Sequence, residues 1–228
     1  TYTNGDYVVN CHDGVAHGEL DIYGILGMSC NGAFDTIAQT LNSTKWQKLA
    51  EDFGYNQSDR SQVDFPYKKS HFDIASDDSV WSRMQLAIGQ GTTTVTPLLN
   101  LMMYAAIAND GVMMTPYLVD HYLDADGNVV EQTKPKALRS VCTKAEAELM
   151  DEFLTYVITN GTAAAGGSQY ARVSGKTGSA QYDSTKNYHA WFCGYGTNDV
   201  SEIAVCVMIE KGGAGGIVAA PVAGQIFD

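Results

Sequence analysis

The chain has 228 residues, 45% of them hydrophobic, which is enough to bury one sizeable core. Its formal charge of −12, from 26 acidic against 14 basic residues, argues against a nucleic-acid partner, because phosphate contacts need clustered Lys and Arg. No apolar stretch approaches the ~20 residues needed to span a bilayer, and the opening Thr1 to Asn4 has no leader-like pattern. An export signal or membrane anchor is therefore expected outside this sequence.

Tyr2 to Gly18 is rich in Gly, Asn and Asp around Tyr7-Val8-Val9 and reads as loop with at most a hairpin. From Leu20 the spacing turns helical through Ile22, Tyr23, Ile25 and Leu26, until Gly27-Met28-Ser29-Cys30-Asn31-Gly32 breaks it and leaves Ser29 and Asn31 between helices. The next helix presents Phe34, Ile37, Ala38 and Leu41 on one face. Another opens at Ser43 as N-cap, carries Trp46, Leu49, Ala50 and Phe53, and stops at Gly54. Residues 55–80 are polar and irregular. Thr96 as N-cap and Pro97 at the first helical position open a helix from Leu98 to Asn109 that is apolar on nearly all sides and should be buried.

Tyr117 to Val130 alternates as strands around Asp126-Gly127, the pattern of an exposed hairpin. Thr143 and Glu146 form a capping box ahead of a helix that Asn160-Gly161 ends. Three strands follow, Arg172 to Tyr182, Tyr188 to Tyr195 and Glu202 to Glu210, and their short connections imply an antiparallel meander. A glycine-rich turn then leads into a terminal helix from Ile217 to Phe227. The expected class is α/β of the α+β kind: an antiparallel sheet flanked by helices plus a helical subdomain. Residues 1–228 form one partial domain, with 19–115 mainly helical and 116–228 holding the hairpin, strands and last helix.

The candidate chemistry lies at two places. Lys176-Thr177-Gly178-Ser179 puts a lysine between glycines Gly175 and Gly178 on a strand, where a fixed charge and two hydroxyls can hold an anion and the backbone can be approached closely. Ser29-Cys30-Asn31 supplies a hydroxyl and a carboxamide at a helix start, although either residue could simply cap that helix. His189, beside aromatic residues and without a helpful acidic neighbour, reads as a hydrogen-bonded structural residue. Trp191, Phe192 and Tyr195 read as core and sheet face. His12 and His17 near Cys11 and Asp13 match no regular zinc-ligand spacing, and no metal or organic cofactor is expected. The five cysteines are odd in number and without a CxxC pair, so buried free thiols are expected over a disulfide framework.

Together, SxN at Ser29 and Asn31, KTG at Lys176 to Gly178 and His189-Ala190-Trp191-Phe192 on the following strand resemble the transpeptidase domain of penicillin-binding proteins. Met84 to Gly91, Val95 to Leu98, Ala105 to Gly111 and Val218 to Ala223 extend the resemblance from about Gly18 to the end. The forms Lys176 to Gln181 and His189 to Phe192 are most similar to class B members. The resemblance implies a β-lactamase/transpeptidase-like fold and a D,D-transpeptidase that cross-links peptidoglycan through an acyl-serine. Lys176, Ser29 and Asn31 would be catalytic, with Ser29 relaying a proton and Asn31 holding the substrate amide. Thr177, Gly178 and Ser179 would bind the substrate carboxylate, and the backbone N–H of Ser179 would be one oxyanion donor. Its partners would be stem peptide, β-lactam antibiotics and wall-synthesis proteins. The parent would sit on the extracytoplasmic face of the bacterial membrane in cell division or cell shape, anchored through a missing N-terminal segment.

No serine in these 228 residues has a lysine three positions later, so the S-x-x-K nucleophile motif is absent. The chain is thus expected to be N-terminally truncated and inactive alone. A serine β-lactamase, a D,D-carboxypeptidase, or a non-catalytic scaffold or sensor of the wall machinery are the alternatives.

Overall fold

In the computed structural model of the chain, residues 2–11, 14–57, 63–185 and 187–228 are described. Strands β1 (Tyr2–Asn4) and β2 (Tyr7–Val9) pair as a short hairpin. Four helices follow: α1 (Ile22–Gly27), α2 (Asn31–Thr40), α3 (Ser43–Asp52) and α4 (Val80–Ala87). The N-cap of α3 is Asn42 rather than Ser43, because the Asn42 carboxamide accepts from Lys45 N at 3.0 Å while the Ser43 hydroxyl donates to Asp78. Helix α4 begins where the segment read from sequence as irregular, 55–80, ends, carries the start of the Met84 to Gly91 run, and is capped by Ser79.

Helix α5 (Pro97–Ala108) begins as the sequence indicates, with Thr96 Oγ1 accepting from Leu99 N. It is half-buried rather than buried, since only Leu99 and Ala106 are fully enclosed. One side packs on the sheet and another on the pair β3 (Val112–Met114) and β6 (Ala137–Ser140), which leaves the remainder partly open. Between those two strands, β4 (His121–Leu123) and β5 (Val129–Gln132) form the exposed hairpin, turning at Asp126 and Gly127.

Helix α6 (Lys144–Asn160) carries the capping box and packs against β7 (Arg172–Gln181). Strands β7, β8 (Tyr188–Thr197) and β9 (Glu202–Ile209) form the antiparallel meander, in that order. Side chains alternate across it. On one face Val173, Phe192 and Val205 meet Ala219, Ala220, Ala223 and Phe227 of α7 (Gly215–Phe227), together with Val157 and Ile158 of α6. Two smaller cores lie apart, one around Phe72, Ile74 and Leu86 with Trp46, the other around Ala106, Met113 and Val141. No described helix is long and apolar enough to cross a membrane.

Candidate active site

The structure brings together two sequence-predicted residues 147 positions apart: Lys176 Nζ donates to Ser29 Oγ at 3.1 Å and to Thr177 O at 2.8 Å. Ser29 can be reached because α1 stops abruptly. Its N–H bonds back to Leu26 O, its φ of 52° turns the chain into the left-handed region, and α2 restarts two residues later. The helix-cap reading of Ser29 and Asn31 does not hold. Cys30 occupies the N-cap of α2 without a side-chain capping hydrogen bond, Ser29 faces the lysine, and Asn31 Nδ2 donates to Asn10 O at 2.9 Å.

Burial pulls the Lys176 ammonium down to about 8 from its ordinary value, and among the described residues no carboxylate pairs with it. Both its oxygen partners are neutral. A half-buried cation with neutral partners is prepared for an incoming anion, which would supply the missing countercharge.

The other residues of the lysine motif do not converge on that ammonium. Thr177 and Ser179 alternate to the opposite side of β7, where Thr177 Oγ1 donates to Thr162 Oγ1 at 3.2 Å and Ser179 Oγ accepts from Gly215 N at 3.1 Å. Gly178 lies against the start of α7: a Cβ built on Gly215 would sit 2.4 Å from Gly178 O and from Trp191 O. Helix α7 is therefore pressed onto the motif strand through a residue that must be glycine.

Thr162 escaped sequence reasoning, yet it ties both halves together. Its N–H donates to Gly27 O at 3.0 Å, at the end of α1, while its hydroxyl meets Thr177. Asp151 on α6 was missed as well. It accepts from Ser174 Oγ at 2.8 Å and Tyr195 Oη at 2.7 Å, and it pairs with Arg172, fixing β7 two residues before the lysine. Burial alone would raise its carboxyl, but those donors outweigh it and hold the group below the usual carboxylate range. Asp151 stands among Glu146, Glu148 and Glu152 on the same helix, and nothing in the local sequence sets it apart from them.

His189 is structural, as its surroundings suggested: Nδ1 accepts from Lys211 N at 3.1 Å and the ring stacks on Tyr182. Two of the residues weighed for zinc from sequence, Cys11 and His17, meet a third from another element. Cys11, His17 and Cys30 place one ligand atom each within 4.8 Å of one another, and His17 Nδ1 is buried without a hydrogen-bond partner among the described residues. Two thiols and an imidazole suit a zinc-like cation. Sequence spacing hid the group because Cys30, the middle residue of SxN, reaches it from a separate element. His12 and Asp13 lie outside the described residues.

The family described as "Penicillin binding protein transpeptidase domain" matches residues 1–228. Among curated relatives, the peptidoglycan D,D-transpeptidase PbpA of Mycolicibacterium smegmatis is 29% identical over 203 residues, covering 85% of this chain and 40% of that protein. The peptidoglycan D,D-transpeptidase MrdA of Acinetobacter baumannii is 28% identical over 235 residues, 93% of this chain and 34% of the relative. The chain thus spans well under half the length of either. Among solved structures, the D,D-transpeptidase domain of a peptidoglycan glycosyltransferase from Eggerthella lenta is similar with a TM-score of 0.83 and 28% identity, over 92% of this chain and 53% of that one. Penicillin binding protein 3 of Mycobacterium tuberculosis, solved with aztreonam, gives a TM-score of 0.76 and 26% identity over 90% of this chain and 50% of that one.

Proposed function

The chain belongs to the family of penicillin binding protein transpeptidase domains, and from that premise we propose that it forms the anion-binding and proton-relay half of a peptidoglycan D,D-transpeptidase site. The observation that carries the reading is the contact of Lys176 Nζ with Ser29 Oγ across 147 residues. In the reaction, a serine attacks the D-alanyl-D-alanine amide of a stem peptide, or the β-lactam ring that imitates it, and an acyl-serine forms. Lys176 attracts the substrate's terminal carboxylate and polarises Ser29. Ser29 relays to the leaving amine the proton that the attacking serine gives up, accepting one proton as it donates another, so that the amine departs neutral, and Asn31 releases Asn10 to hold the substrate amide. Thr177, Gly178 and Ser179 take part through the backbone of β7, since both hydroxyls turn to the side away from Lys176, and the backbone N–H of Ser179 donates to the developing oxyanion. An acceptor amine of a second stem peptide then takes the acyl group.

The relatives named D,D-transpeptidases and the aztreonam complex of a similar structure support this reading. It places the working protein on the extracytoplasmic face of the bacterial membrane, beside other wall-synthesis proteins. It also divides the chain, with 19–115 bringing SxN and 116–228 bringing KTG. The nucleophile must come from an S-x-x-K outside these 228 residues. The absence of that motif also favours a second reading, a non-catalytic scaffold. A fluorescent penicillin, applied to this chain and to a form extended upstream to include a Ser-x-x-Lys segment, separates the two by gel and mass spectrometry. Covalent label on the extended form alone is expected. A folded extended form that takes no label leaves the scaffold.

A further inference from the structure

Cys193 and Cys206 are directly opposite on the antiparallel strands β8 and β9, and their sulfurs are 3.1 Å apart. Opposed positions in an antiparallel pair have Cα atoms ~4.5–5.5 Å apart, inside the ~4.4–6.8 Å span that a disulfide bridges. The sulfurs need to approach by only about 1 Å to reach bonding distance, with the ladder already holding both backbones. Cys193 is also the register partner of Lys176 on β7, so Lys176, Cys193 and Cys206 form one row across the sheet.

We propose that Cys193 and Cys206 are an oxidisable dithiol that closes to an intra-sheet disulfide by exchange with a small-molecule disulfide. Cys206 is the attacking sulfur. It is half-buried, less enclosed than Cys193, and accepts the S–H of Cys193, which draws its thiol below the ordinary value, while Cys193 is buried and its thiol is pushed up by that bond and by burial. The Cys206 thiolate breaks the small disulfide, forming a mixed disulfide and releasing one thiolate. Cys193 then loses its proton and its sulfur attacks Cys206 Sγ, expelling the second thiolate. Two protein thiols are oxidised and one small disulfide is reduced to two thiols. The bond locks β8 to β9 in the row behind Lys176 and encloses a short loop, which restricts the unfolded chain.

The test uses the intact chain across a range of oxidised and reduced glutathione, with trapping by N-ethylmaleimide under denaturing conditions and tryptic mapping. Trypsin leaves both cysteines on the single peptide 187–211, so closure is read as that peptide two hydrogens lighter and carrying no maleimide. The thermal midpoint is expected to rise by about 5–10 °C on oxidation and to return with dithiothreitol. The C206A variant should lose that shift. Two maleimides on the peptide at every glutathione ratio, a mixed disulfide at Cys206 that never resolves, or a bond found only between Cys11 and Cys30, whose sulfurs are 3.9 Å apart, each overturns the proposal. The mapping needs no variant, so a misfolded C206A leaves the test intact.

Discussion

Lys176 pays for its readiness in stability. Its pKa is drawn to about 8 from 10.5 because the charged form is desolvated. The unfolded chain therefore binds the proton more tightly, and the penalty is fully present below about 8 and relieved as the pH rises from there toward 10.5. K176M should raise stability at pH 7 by roughly 1–3 kcal/mol in urea unfolding and should flatten the rise between pH 8 and 10 that the wild type shows. An unchanged or lower stability would mean that Ser29 and Thr177 O already compensate the charge. The thiol–imidazole group makes a second claim at this scale. Cobalt(II) added to the chain should give a thiolate-to-metal charge-transfer band at about one equivalent, and H17A or C30S should weaken it by ~10-fold or more in affinity. A featureless spectrum with bound metal would place the cation elsewhere. Both claims concern SxN, since Ser29 faces the lysine and Cys30 the imidazole.

Elements were legible where their signals are local. The capping box at Thr143 and Glu146, the Thr96-Pro97 start and the Asp126-Gly127 turn each act within four residues, and each stands where the sequence puts it. The misses depend on distant neighbours. Strands β3 and β6 have three or four residues each and exist through their pairing across an intervening hairpin, which no local period reveals. Thr162 and Asp151 matter because of what α1 and β7 bring to them. The KTG and SxN residues were found as motifs, but their mutual approach and the opposite facing of the Thr177 and Ser179 hydroxyls belong to the sheet's alternation. The seat of α7 on that sheet gives a direct test. A methyl at position 215 would collide with two backbone carbonyls that cannot rotate away. G215A should cost about 2 kcal/mol or more and loosen the motif strand, read as faster amide exchange at Ser179 and Ala180. Normal stability would show that α7 can slide at no cost.

Across the whole molecule, burial is divided unequally, and that division sets which part opens first. The sheet is held by α7 on one face, by α5 on the other and by α6 along β7, and most of the large core lies there. Helices α3 and α4 rely on a separate, smaller cluster around Phe72, Ile74, Leu86 and Trp46, and α3 has no fully buried residue. Few buried apolar contacts mean a low free energy of local opening. The charge of −12 adds self-repulsion, which salt screens. Amides of α3 and α4 should therefore exchange ahead of those in α6 and β8 by at least ~10-fold, with the gap narrowing as salt is added. Ser29 stands between these regions, on a turn tied through Gly27 O to Thr162, just past the end of α6, and to β7 through Lys176. If it belongs with the sheet, amides at Met28 to Cys30 will share the slow exchange of α6, and the Ser29–Lys176 contact will outlast opening of the outer helices. Equal protection across α3, α4, α6 and β8 would instead make the chain a single cooperative unit, and the site would then have no firmer footing than its outermost helix.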